Sequence, residues 1–175
     1  MGNHINQLNV SYIKSEDRIL LRLNTTNKEE FRLWLTRRVL RKLAGEMGGA
    51  ERRLLGLESA EGGHLVPGAR AIQEFRREAS TADVDFGEAF EEGPAGLPFG
   101  DAPVLAIDCE VRLQEGAAAI ALSLANKQTL NFVLDVRGLH GTLAMLQKAV
   151  AHSDWDLGQE LENETRPPVG QASLH

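Results

Sequence analysis

One pattern restricts the fold of this chain more than any other: a three-strand signature that recurs 101 residues later. In the first copy, residues 8–13 (Leu-Asn-Val-Ser-Tyr-Ile) alternate apolar and polar, the period-two mark of a half-buried strand. Lys14-Ser15-Glu16-Asp17 is a polar turn. Residues 18–24 form a second strand with Ile19, Leu21 and Leu23 on one face. A polar loop from Thr25 to Glu29 leads to a third strand over 30–35, with Phe31, Leu33 and Leu35 inward. A shift of 101 carries Leu8, Val10 and Tyr12 onto Cys109, Val111 and Leu113. It carries Ile19, Leu21 and Leu23 onto Ile120, Leu122 and Leu124, and the third strand onto Phe132, Leu134 and Val136. All nine pairs are apolar and six are identical, with no gap in either turn. A one-residue slip would turn every one of these side chains to the wrong face.

After each third strand the period changes. Thr36 is a helix N-cap, and Val39 or Leu40, Leu43 and Met47 make an apolar stripe that Gly48-Gly49 is expected to end or break. Residues 50–57 resume helix briefly. Leu139, Leu143, Leu146 and Val150 make the second stripe. The expected fold is therefore α+β: a tandem βββα repeat with pseudo-twofold symmetry, each unit an antiparallel meander followed by a helix. The units span 5–57 and 104–156, within one compact domain. An insert over 58–103 separates them. Pro67 opens a helix there with Ile72, Phe75 and Ala79 on one stripe. An acidic Gly/Pro-rich loop, read as mobile, follows from Asp83 to Pro103. The tail 157–175, with Pro167-Pro168, reads as disordered.

Charge is unevenly spread. Residues 1–57 hold 11 Lys/Arg against 6 Asp/Glu, a net of +5. Residues 58–175 hold 8 against 19, a net of −11, which gives the chain its −6. Either the two regions neutralise each other or the first presents a basic binding face. A single cysteine, Cys109, excludes an internal disulfide framework. No apolar run reaches the ~20 residues that span a membrane, and Met1 to Asn6 lacks the blocks of a signal peptide. Gly2 lacks the Ser or Thr at position 6 that myristoylation requires. The expectation is a cytoplasmic protein with no membrane partner.

Catalytic and metal signatures are weak. His4, His64, His140, His152 and His175 show no zinc-helix spacing, and one cysteine builds no Cys-rich site. His152-Ser153-Asp154 is adjacent in sequence and does not converge as a triad does. His140 is read as a surface or capping residue. Cys109 falls on the inward face as a small hydrophobe. Asp108 and Glu110 flank it on the outward face, a solvated pair or an acid–base pair. Gly138-x-x-Gly141 is no phosphate loop. No cofactor is expected, and no catalytic residue or metal ligand is assigned.

The outward face of the first unit carries the sharpest signal. Pairing Leu21 with Leu33 sets Arg22 opposite Arg32 and Leu20 opposite Trp34. Like charges set opposite need an anion nearby, and Arg and Trp are enriched at binding hot spots. Arg22, Arg32 and Trp34, with Leu20 and Ile13, are the candidate partner-binding residues. The anion is a partner carboxylate, a nucleic-acid phosphate or the chain's own acidic insert. The alternative packs Trp34 under the insert helix, with the arginines in water. Arg37, Arg38, Arg41 and Lys42 crowd the start of the first helix, against its dipole. They define the alternative of a nucleic-acid binder, which low aromatic content opposes.

The runs Asp17-Arg18-Ile19-Leu20-Leu21-Arg22 and Arg32-Leu33-Trp34-Leu35-Thr36-Arg37-Arg38 resemble small conserved proteins of Gram-negative bacteria with no assigned function. That resemblance implies a bacterial cytosolic protein and carries over no catalytic residue. In outline the repeated sheet-plus-helix unit is similar to those of the Pur-alpha and Whirly nucleic-acid binders, which have four strands per unit where three are read here. The leading expectation is a non-enzymatic protein-binding or adaptor module that self-associates as a homo-oligomer. The alternatives are a nucleic-acid binder and an enzyme whose residues converge only in the fold.

Overall fold

The computed structural model describes residues 5–57, 68, 71, 90 and 96–157. The protein is α+β, and among those residues strand–strand–strand–helix occurs twice. β1 (Ile5–Ile13), β2 (Arg18–Thr25) and β3 (Glu30–Leu35) precede α1 (Arg37–Leu54). β4 (Val104–Gln114), β5 (Ala117–Leu124) and β6 (Thr129–Asp135) precede α2 (Val136–Ala151). The six strands form one sheet in sequence order. Apart from Ala71, which is helical, the expected insert helix lies outside the described residues, as does the tail beyond Leu157; Leu157 itself, expected in the disordered tail, is buried in the core.

Alternation decides which side chains are inside. Along β2, Ile19, Leu21 and Leu23 are buried while Leu20 and Arg22 are half-buried. Each such Ile or Leu contributes roughly 1.5–3 kcal/mol on burial. Each set of three strands is antiparallel throughout, as short turns require. The two sets meet edge to edge, where Leu33 and Trp34 of β3 pair in parallel with Val104 and Leu105 of β4. The sheet is therefore mixed.

The gapless 101-residue match does not survive in the pairing. Leu8 lies opposite Leu23, but Cys109 lies opposite Leu122 rather than Leu124. The first turn occupies four residues, Lys14–Asp17, while its counterpart is the two-residue Glu115-Gly116, with Gly116 at φ +71°. First strands match at 101; from there on the match is 99, equating the helix N-caps Thr36 and Asp135. The difference is two residues, one strand period, so the same faces stay inside.

The helices lock the halves together. α1 follows β3 but packs most extensively on β4, and α2 follows β6 but, among the strands, packs most on β1. They also pack on each other, sealing one core with both sets of strands. The stripe Leu139, Leu143, Leu146 and Val150 is buried as expected. Gly48-Gly49 does not end α1. Both glycines lie inside the helix, with Met47, Gly48 and Ala50 buried, and burial outweighs a propensity cost of about 1 kcal/mol per glycine. The helix stops at Gly56, whose φ of +65° lets Gly56 N–H reach Arg53 C=O and Leu57 N–H reach Arg52 C=O. No helix is long and apolar enough to cross a membrane among the described residues.

Candidate functional site

The arginine face forms as the alternation dictates. Arg22 lies opposite Arg32 and Leu20 opposite Trp34, all four half-buried. Ile13 stands apart, at the end of β1 opposite Arg18. The anion that the two arginines require is a residue the sequence reading passed over. Glu30, at the start of β3, is 3% exposed. Its Oε1 accepts from Arg22 Nε at 2.9 Å and from Arg32 Nε at 2.7 Å. Burial pushes the Glu30 carboxyl up, but the hydrogen bonds from Arg32 and Arg22 outweigh it and hold the group below the usual carboxylate range.

The described residues of the insert, read as a mobile loop, run along the β3 edge and touch both faces of the sheet. Phe90 packs its ring 4.0 Å from the Arg22 guanidinium carbon. Gly96 pairs in parallel with Glu29: Glu30 N–H donates to Gly96 C=O at 2.8 Å, and Gly96 N–H to Lys28 C=O at 2.9 Å. Phe99 stands edge-on to Phe31, centroids 4.9 Å apart. Arg32 donates to the Asp101 C=O at 3.2 Å. The free edge of β3 is thus divided, its start bound by the insert and its end by β4. A Cβ at Gly96 would meet no heavy atom closer than Lys28 O at 3.9 Å. That position holds backbone and leaves room for a side chain.

Two residues of the basic start of α1, Arg38 and Lys42, reach the neighbouring strand. Lys42 Nζ contacts Asp108 Oδ1 at 2.7 Å and lies 3.8 Å from Glu46. Arg38 donates to Ile107 C=O at 3.0 Å. Arg37 and Arg41 are exposed on the same turns. These contacts to β4 offset the unfavourable dipole term.

The acid–base candidates do not converge. Asp108 is held by Lys42 and Glu110 by Arg112, and both carboxylates are exposed. Cys109 is buried, and burial with the nearby Glu46 carboxylate pushes its thiol up to about 11, far from a nucleophile. His140 is not at the surface as expected. It is 2% exposed, and its Nδ1 meets Glu51 Oε1, itself fully buried, across the α1–α2 interface. Glu51 falls four residues after Met47 on the α1 stripe, a spacing legible in the sequence. Among the described residues no group of three His, Cys, Asp or Glu side chains is placed to hold a metal ion.

No protein-family model, curated protein or solved structure matches this chain.

Proposed function

We propose that the protein is a non-enzymatic protein-binding module, built as a tandem repeat of βββα units, whose docking surface is the start of the β3 edge together with Arg22, Arg32 and Trp34. One observation carries the reading: residues 90 and 96–101 of the chain's own insert touch that surface as parts of a bound peptide would. They add a backbone rung to the edge, stack an aromatic ring on an arginine, and set a second ring against the core. This is strand addition, in which main-chain bonds supply affinity and side-chain anchors supply specificity. The ligand class is an extended segment with aromatic anchors and acidic neighbours, as Phe90 is followed by Glu91-Glu92.

The insert then acts as an intramolecular competitor, and a tether holds such a segment at an effective concentration of order mM. A labelled synthetic peptide of residues 88–102, titrated by fluorescence anisotropy, tests this. It is expected to bind the Phe90→Ala/Phe99→Ala variant and to bind wild type about tenfold more weakly or worse. Adding Arg22→Glu and Arg32→Glu should abolish binding. A folded Phe90→Ala/Phe99→Ala variant that ignores the peptide would remove this face from consideration.

A further inference from the structure

The two edges of the sheet are unlike. The β1 edge is guarded: its pairing is irregular between Ile5 and Gln7, α2 packs against it, and Trp155 stands edge-on to Tyr12 at 5.8 Å. β6 closes the other end of the strand order, and among the described residues it pairs with β5 alone. Natural edges are blunted by proline, lysine, a bulge or a cover. Thr129-Leu-Asn-Phe-Val-Leu-Asp135 has no proline and no lysine, and its register with β5 is unbroken. Val133 is 49% exposed, more than any other large hydrophobic residue described.

The hydrogen-bond phase of this strand follows from its turn. Leu124 N–H donates to Gln128 C=O at 2.9 Å. Alternation makes Leu122–Leu130, Ile120–Phe132 and Ala118–Leu134 the bonded pairs with β5. The N–H and C=O groups of Thr129, Asn131 and Val133 therefore face away from β5, toward the open edge. Their side chains are exposed on the outer face.

We infer that β6 is a homodimer interface, taking β6 of a second copy in antiparallel pairing about a twofold axis through Asn131. A second copy fits because the row is self-complementary: each outward pair of donor and acceptor meets its own counterpart. Charge favours a register centred on Asn131. Centred on Asn131, Thr129 faces Val133 of the second copy, and Lys127 faces its Asp135, opposite in sign. The inference is independent of the arginine face and stands or falls without it.

Sedimentation equilibrium of the full chain reads the outcome as mass. Wild type is expected to move from 19.2 kDa toward twice that value with concentration. Thr129→Lys/Val133→Lys sets like charges opposite at both ends of the pairing and should weaken the dimer at least tenfold, while Thr129→Glu/Val133→Lys should restore it. Asn131→Cys should form a disulfide-linked dimer on mild oxidation, Cys109 being buried. Circular dichroism confirms that each variant folds. Wild type that stays monomeric, or Lys/Lys and Glu/Lys variants that dimerise equally, would overturn the inference.

Discussion

Truncating either member of the Glu51–His140 pair leaves the other polar group buried between the helices. Breaking a buried pair from one side typically costs about 3–5 kcal/mol, whereas replacing both by apolar side chains is often neutral or stabilising. Denaturant titration should therefore show a large loss for His140→Leu and for Glu51→Leu, and much less for the double variant. Periodicity missed His140 because it stands beside Leu139 rather than on the main stripe, and charge alone suggested solvent. Asp17 carries a second prediction. It accepts from Tyr12 Oη at 2.8 Å and from Trp155 Nε1 at 2.7 Å, and these bonds hold its carboxyl below the usual range. A folded value below the unfolded one means that its stabilising contribution is complete above the unfolded pKa. That contribution is lost as pH falls through the folded pKa. In a Trp34→Phe background, the emission of Trp155 should shift to the red over that acidic interval. Asp17→Asn should remove this segment of the pH dependence.

At the scale of elements, the strands were legible because a period of two is hard to counterfeit over three consecutive segments. The register was not, since offsets of 99 and 101 differ by one strand period and bury the same faces. A signal for the shorter offset was present: Asn27-Lys28 and Asn126-Lys127 repeat at 99, and both lysines adopt positive φ, +57° and +65°, in matching three-residue loops. The end of α1 was misread for a related reason. Gly48-Gly49 and Gly56 are alike as letters, and only packing on α2 and β4 decides which one ends the helix. Gly56→Ala should cost about 1–2 kcal/mol, the penalty of a left-handed conformation for a residue with a Cβ. Thermal melts will register it as a lowered Tm. Of the candidate site, the facing arginines were readable from the strand pairing. Glu30 was readable by the same period, two residues before Arg32 on one strand face; the insert was not, because non-local contacts leave no period in the sequence.

Over the whole molecule, the exchange of helices matters most. Because α1 rests on β4, and α2 reaches across to β1 while also packing on its own β5 and β6, the first set of strands is not covered by its own helix. A fragment of residues 1–57 should therefore lack cooperative unfolding by circular dichroism, and mixing it with 96–157 should restore a single transition. An independently folding 1–57 fragment would contradict that interdependence. The same exchange sets a schedule during synthesis. From the end of α1 at Leu54 to the end of β4 at Gln114 the ribosome adds 60 residues. At about 5–20 residues per second that takes ~3–12 s. Throughout this interval the stripe formed by Val39, Leu40, Leu43 and Met47 has emerged before the strand that will cover it. The nascent chain thus presents one greasy helix to whatever chaperones wait at the tunnel exit, and ceases to do so when β4 arrives.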